Sequence, residues 1–400
     1  MAMTKIKLGD VLDVKRGASL SGDYYAKTGT LIRLTLGNFN YPGGGFKDNT
    51  AKDDIYYTGK VRSEFILKKG DIITPLTEQV RGLLGETARI PVSDLYIQSQ
   101  DVGKIIPNEK ELDINFAYYL ISSPIIKYQL DAGAQQTKIR HTSTDKIKDC
   151  VAWIPDIPNQ KRIAKLLDFL NAKIVINNKI NAELESIAKT LYDYWFLQFE
   201  FPNEEGKPYK SSGGKLVWNE GIKKEIPEGW EARQIRDILI EADKSKIQVN
   251  GAKKKDEFPF FTSGESILAY HEYFVDGFNV FLNTGGNPDI KAYKGKCAYS
   301  TDTWCISAKQ HSYILYNYLL KLMPQFEQLF FAGSGLKHLQ KDALKSKYIL
   351  LPDNKVLKAF NESCSSIWEK ITNCLIQNLE LSSLRDFLLP LLMNNQVTFR

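Results

Sequence analysis

The sequence predicts an α/β protein made by internal duplication: two α/β modules separated by two long antiparallel coiled-coil helices, related by a pseudo-twofold repeat. Three observations carry that expectation. A stretch of the chain recurs without gaps 197 residues later, each copy contains a sustained heptad stripe, and mixed strand and helix signals precede each stripe.

The repeat is visible residue by residue. His141 falls on His338, Asp145 on Asp342, Lys148 on Lys345, Pro155-Asp156 on Pro352-Asp353, and Lys173-Ile174 on Lys370-Ile371. Asn181 then falls on Asn378, Glu183-Leu184 on Glu380-Leu381, and Ser186 on Ser383. So many matches at one offset indicate duplication rather than chance. Upstream, Leu8-Gly9-Asp10-Val11-Leu12 resembles Ile235-Arg236-Asp237-Ile238-Leu239 at an offset of 227, so the first copy is 30 residues longer between the two anchors. Each repeat therefore has a variable front and a well-matched back.

The back is a long helix. Ile163, Leu170, Asn177, Leu184 and Leu191 recur every seven residues, with Leu167, Ile174 and Ala188 four positions after the first, second and fourth of them. In the second copy the stripe reads Phe360, Ile367, Cys374, Leu381 and Leu388. Neither segment contains glycine, and such a seam predicts helices that pair with each other. A helix from Asn159 to about Leu197 would run ~58 Å. Asn177, polar in an apolar seam, is the residue type that fixes register and partner at some cost in stability.

Between the copies, 201–229 is rich in Pro, Gly, Ser and charge and reads as a connector with turns, which Trp218 and Trp230 would pin to a module. In the fronts, Lys68 to Thr74 and Phe278 to Leu282 read as turn then strand, and Leu112 to Asp131 and Tyr313 to Phe331 as amphipathic helices. The expected divisions are a first module at 1–156, a helix at 157–200, the connector at 201–229, a second module at 230–352 and a second helix at 353–400.

Composition narrows the function. Apolar residues at 43% and charged residues at 25% are ordinary for a globular chain, and no apolar run approaches a membrane span. The start lacks the pattern of a secretory signal, so a cytoplasmic protein is expected. Five cysteines without a Cys-x-x-Cys pair, and four histidines, give little material for disulfides, a zinc site or a catalytic triad. The Gly-Lys pairs at Gly59, Gly103, Gly206, Gly214 and Gly295 all lack the hydroxyl of a phosphate-binding loop. Phe331-Ala332-Gly333-Ser334-Gly335 has the form of a loop that cradles S-adenosylmethionine, but the residues before it read as helix where such a loop needs a strand. The chain is expected to catalyse nothing alone.

It does offer basic, amide-rich loops at equivalent places, and a net charge of +6 permits a polyanionic partner. Copy one provides Gln135, Gln136, Thr137, Lys138, Arg140 and His141. Copy two provides Lys337, His338, Gln340 and Lys341. Thr77, Gln79, Arg81, Asn283, Thr284, Asn287, Lys291 and Lys294 are further candidates. Lysine, arginine and hydroxyl side chains suit phosphates, while Gln, Asn and Arg suit base edges in the major groove. The two histidines read equally well as residues that only buttress a turn.

Two variable modules, each followed by a matched long helix, resemble the DNA-specificity subunit of type I restriction-modification systems, over essentially the whole chain. Gly206-Lys207-Pro208-Tyr209-Lys210-Ser211-Ser212-Gly213-Gly214, Ile226-Pro227-Glu228-Gly229-Trp230-Glu231, Leu191-Tyr192-Asp193-Tyr194-Trp195-Phe196 and the run Leu384 to Met393 support it, as does Pro155-Asp156-Ile157-Pro158-Asn159-Gln160. Pro352-Asp353-Asn354-Lys355 departs by lacking the usual Pro and Gln. The resemblance implies a non-catalytic subunit for defence against foreign DNA. Each module would be a target-recognition domain reading one half of a split, asymmetric site in double-stranded DNA. The helices would set the spacer and dock two methyltransferase subunits. S-adenosylmethionine, ATP and magnesium would then belong to those partners and to restriction/translocase subunits.

Three other readings stand beside it. One is a coiled-coil scaffold that binds only protein, marked by salt-independent behaviour and no DNA retention. Another is an adenine methyltransferase using Phe331 to Gly335. The third keeps the family but places the chain in a methylation-only or regulatory complex.

Overall fold

The computed structural model describes residues 3–41, 44–49, 53–134, 140–253, 256–264, 266–333, 335 and 337–397. The chain divides into two compact units, Met1–Ala172 with Leu384–Arg400, and Lys173–Ser383, so each long helix passes from one unit into the other. The division by compactness thus differs from the division by repeat. The reason is that each module packs on the start of its own helix, while the end of that helix belongs to the other unit's core.

In the first unit, a four-stranded antiparallel sheet runs in the order Leu12–Arg16, Val102–Pro107, Ile72–Pro75, Ala88–Arg89. Ile72–Pro75 is buried at every position, as a strand covered on both faces must be. A smaller sheet orders Tyr25–Ala26, Tyr56–Tyr57, Ile32–Arg33, Tyr96–Ile97, the last pair parallel. Met3–Lys7 closes the module by pairing with Val151–Pro155.

The second unit repeats this plan. Its larger sheet is Ile240–Glu241, Thr303–Ser307, Phe278–Asn283, Ile290–Lys294. Its smaller one is Ile267–Tyr270, Phe258–Phe261, Ala298–Tyr299, again ending in a parallel pair. Glu231–Gln234 pairs with Tyr348–Leu351 as Met3–Lys7 does with Val151–Pro155. The fronts, dissimilar in sequence, therefore share the topology of the larger sheet and of three strands of the smaller one, to which the first unit adds Tyr25–Ala26. Much of the extra length of the first lies in 34–55, which corresponds to 262–266 in the second.

One helix was expected across Leu112 to Asp131, but two are present, Ile114–Ile121 and Pro124–Gly133. Pro124 cannot donate a helix-interior hydrogen bond and takes a first-turn position instead. Ser123 turns the chain, its hydroxyl donating to the Leu120 carbonyl at 2.6 Å. The second module keeps a single helix there, Ser312–Phe330.

The long helices are Ile157–Tyr192, continued by a π-helical turn at Asp193–Leu197, and Asn354–Met393. The repeated Pro-Asp explains where they begin. Asp156 accepts the Asn159 backbone N–H at 3.1 Å, and Asp353 accepts those of Lys355 and Val356 at 2.8 and 3.0 Å. Each caps the exposed amides of the first turn. Where the second copy departs from Gln160 it has Leu357. Gln160 is buried and joins Asp113, Glu111 and Pro155 through three backbone hydrogen bonds, and Leu357 fills its place by apolar packing.

The seam is buried at Ile163, Leu170, Asn177 and Phe360 and half-buried at Leu184, Leu191, Ile367, Cys374, Leu381 and Leu388. In the first unit Ile163, Leu167 and Leu170 are buried, and the first two share a core with Leu392 and Met393, with Leu388 and Leu389 packed against it. In the second, Leu184, Leu191 and Ile367 pack on the core that holds Phe360, Trp368 and Ile371, and Leu381 is half-buried. Fully burying a side chain such as Phe360 is worth roughly 2–3 kcal/mol. Asn177, fully buried, donates to Asn378 at 3.0 Å and Gln377 at 3.3 Å, and Asn378 donates to Asn178 at 2.7 Å. Fifteen residues on, Tyr192 reaches Phe360. Positions rising along one helix meet positions falling along the other, so the pair is antiparallel.

The connector is tied down by aromatic rings. Phe201 stacks on Tyr209 at 4.5 Å and on Trp230 at 5.0 Å, and Phe196 and Phe199 close on the same indole. Trp218 does not share that role. It is 58% exposed on the hairpin formed by Leu216–Asn219 and Lys224–Pro227, its N–H donating to Glu220. All five cysteines are free thiols, and among the described residues no helix is long and apolar enough to cross a membrane.

Candidate nucleic-acid interface

Each module builds a loop cluster from segments some 50–60 residues apart. In the first, the chain leaving Ile72–Pro75 continues as Thr77–Glu78, which pairs with Arg140–His141 in the register Thr77 to His141 and Glu78 to Arg140. In the second, the chain leaving Phe278–Asn283 reaches Gly285, which bridges His338, while Leu339 N–H donates to Thr284 and Gly286 N–H to Lys337. The two histidines matched in sequence therefore occupy the same structural position, each exposed beside the loop that follows the central strand.

The inner groups of each cluster hold the loops in shape. Glu78, 1% exposed, accepts the backbone N–H groups of Gly82 at 2.9 Å and Leu84 at 3.0 Å on one oxygen, and its other oxygen forms an ion pair with the Arg140 guanidinium at 2.9 Å. Arg81 forks onto Asp131 at 3.2 and 2.7 Å, and Arg140 reaches the same carboxylate at 2.5 Å and the Asp131 carbonyl at 2.6 Å. Hydrogen bonds from Arg81 and then Arg140 draw the Asp131 carboxyl down to about 2. In the second module Asn283, buried, donates to the Gly285 and Asn287 carbonyls and accepts the Asp289 N–H at 2.7 Å. Its amide thus folds a turn in which Gly286 takes a φ of +79°, a conformation that suits glycine.

The sequence-predicted residues consequently separate into two groups. Thr77, Arg81, Arg140 and Asn283, offered from sequence as DNA contacts, are engaged inside their own loops. Lys291 is likewise held, by Asp289 at 2.6 Å and the carbonyls of Gly264 and Thr262. Lys294 faces the second long helix, where it meets Ser365 and Glu369. Lys341 lies over the Trp304 ring, 3.6 Å from Glu241. On the outer side, Gln79 and His141 are exposed in the first module, and Asn287, Lys337, His338 and Gln340 in the second. Thr284 is half-buried, its hydroxyl on the Asp302 carbonyl, and Lys337 makes an exposed pair with Glu327 at 2.6 Å. Gln135, Gln136, Thr137 and Lys138 lie outside the described residues.

Sequence reading missed Glu78 and Asp131, the carboxylates that organise the first cluster. Their only signal is a charge beside a basic loop, which is common on surfaces. It also missed Arg89, whose partner lies on the long helix. Phe331–Ala332 leaves the helix Ser312–Phe330 and pairs with His338–Leu339. Among the described residues no group of three or more His, Cys, Asp or Glu could hold a metal ion.

The family profile described as type I restriction modification DNA specificity domain matches residues 2–186 and 227–377. The chain belongs to that family. The two matched segments follow the two repeats, and the gap between them contains most of the connector. The chain is 26% identical over 347 residues to the type I restriction enzyme MjaIX specificity subunit of Methanocaldococcus jannaschii, covering 78% of this chain and 77% of that one. It is 22% identical over 406 residues to the HindI specificity subunit of Haemophilus influenzae, covering 83% and 87%. In fold it is similar to the crystal structure of a type I restriction-modification S subunit from M. genitalium, with a TM-score of 0.51 at 15% identity over 98% and 96% of the two chains.

Proposed function

We propose that this chain is the sequence-specific DNA-binding subunit of a type I restriction-modification complex, with each module reading one half of a bipartite, asymmetric site. The observation that carries the reading is the duplicated module, in which the same strand pairing presents an exposed histidine and an amide side chain, Gln79 with His141 and Asn287 with His338. The loops differ in length and sequence, 79–87 in one and 286–289 in the other, which favours different half-sites. Amide side chains read base edges, and Lys337 supplies a phosphate contact.

The long helices set the spacer and dock two methyltransferase subunits. In support, Ile176, Ile180 and Ile187 leave an apolar stripe along one face of the first helix, 51, 40 and 53% exposed. The chain itself is non-catalytic. S-adenosylmethionine, ATP and magnesium belong to the methyltransferase and translocase partners, and the complex works in the cytoplasm.

Adenine-methylation mapping of host DNA, with the gene intact and deleted and its neighbours retained, tests the proposal. Deletion is expected to remove one split, asymmetric motif and so give both half-sites and the spacer. If methylation is unchanged and the purified chain retains no DNA at low salt, the scaffold reading replaces this one.

A further inference from the structure

Both modules are tied to their own long helix by a cation at the edge of the larger sheet. In the first unit Arg89, on the edge strand, donates to Asp168 at 2.7 Å. The same carboxylate oxygen accepts the Tyr119 hydroxyl at 2.7 Å, Asn171 donates to the Tyr119 oxygen at 2.9 Å, and Arg385 donates to Asn171 at 3.0 Å. The Arg89 guanidinium also lies 4.2 Å over the Tyr118 ring. In the second unit Lys294, at the end of the corresponding edge strand, donates to Ser365 at 2.7 Å and Glu369 at 2.5 Å. The Thr372 hydroxyl donates to the Lys294 carbonyl at 2.9 Å.

The two ties are related but not identical. Val14 matches Glu241 at the offset of 227 found in the sequence, and strand register can be followed outward from there. Val14 pairs with Ile105, Ile105 with Ile72, and Ile72 with Arg89; Glu241 pairs with Ile306, Ile306 with Val280, and Val280 with Ala292. Arg89 therefore corresponds to Ala292, and Lys294 is two residues further along on the same face. On the helix, Asp168 corresponds to Ser365, and Glu369 is one turn further along. Two residues of strand advance ~6.7 Å and four of helix ~6 Å, so one seating of sheet on helix accommodates either pair. The codes do not interchange: an arginine in the Arg89 place would meet neutral Ser365 on the second helix.

Packing leaves this seam incompletely specified in the second unit. Clefts of about 570 and 930 Å³ run along the helix, and Lys294 lines both. Where side chains do not interdigitate, directional charge pairs decide the register.

We propose that Arg89–Asp168 and Lys294–Glu369 are positioning pairs that fix each recognition module in register on its own helix, and so restrict the spacer over which two half-sites are read together. This rests on the DNA-specificity reading above. The test is methylation mapping in cells that carry the full chain and its partners, with Asp168→Asn, Glu369→Gln, and the exchange Lys294→Glu with Glu369→Lys. Both single variants are expected to keep the native half-site sequences. Methylation of the same halves set one base pair closer or further apart should rise about fivefold, the factor that ~1 kcal/mol of lost restraint gives. The exchange should return methylation to the native spacing.

A single, native spacing in Glu369→Gln would overturn the proposal, as would altered half-site bases in either single variant. Should Asp168→Asn abolish all methylation by unfolding, the Glu369→Gln result decides alone, because that carboxylate is 61% exposed and dispensable for the core. A native strain without any split motif overturns the specificity reading itself, and needs no variant to show it.

Discussion

Glu78 and Asp131 are the residues on which the first loop cluster depends, and their different burial gives their arginine partners different weights. The Glu78 side chain is 1% exposed and Arg140 16%, so removing the guanidinium strands a carboxylate in a poorly solvated place. Arg140→Ala is expected to destabilise the chain by about 2–4 kcal/mol. Arg81 is 77% exposed, and an exposed pair is worth at most ~1 kcal/mol, so Arg81→Ala should fall below that. Chemical denaturation of the two variants checks the order, and equal losses would mean that Glu78 is solvated after all. Acidity offers a second check. Because Arg81 and Arg140 hold the Asp131 carboxyl near 2, below its ordinary value of 3.8, its contribution is complete above about pH 4 and declines as pH falls toward 2. The difference in unfolding midpoint between the native chain and Asp131→Asn should therefore stay constant from pH 7 to 4 and shrink below.

At the scale of elements, the long helices were legible because their information is local. A seven-residue period, the absence of glycine and a repeated Pro-Asp cap each act within a few turns, and Asn177 stood out as polar within the seam. Its hydrogen bonds to Asn378 and Gln377 fit a role in choosing register, since the buried NH2 of Asn177 finds acceptors only when the partner amides arrive opposite it. Asn177→Leu is expected to keep the helical content while loosening the choice of partner, with mixed assemblies seen by light scattering; an unchanged assembly state would remove that role. The modules were far less legible. Their shared topology is carried by non-local pairings between strands of two to six residues, such as Ile72 with Arg89 and Gly285 with His338, and nothing in either segment names its partner. The same limit applies to the site. The basic loops were found from composition, but the ties of Arg81 to Asp131 and of Lys294 to Glu369 span 50 and 75 residues, so no local pattern announces them. Pro124 was a local signal of a helix break within the stretch expected as one helix.

At the scale of the molecule, a net charge of only +6 means that phosphate attraction must come from local placement of lysines rather than from the chain as a whole. Each phosphate neutralised contributes ~0.9 to the slope of log affinity against log salt, whereas a base-edge hydrogen bond contributes little to that slope and much to discrimination. Lys337→Gln should accordingly weaken binding to cognate and unrelated DNA alike and lower the slope by about one. Asn287→Ala should leave the slope unchanged while one base position of its half-site becomes tolerant, at a loss of roughly 1–3 kcal/mol in discrimination. The same assignment extends to residues 135–139, where Lys138 is expected to behave as Lys337 and Gln136 as Asn287. Titrations of the purified chain on the mapped site between 50 and 200 mM salt separate the two behaviours. A Lys337 variant that changed the preferred sequence at constant overall affinity would reverse the roles of lysine and amide in both clusters. Affinity indifferent to salt in the native chain would mean that neither cluster touches the DNA backbone.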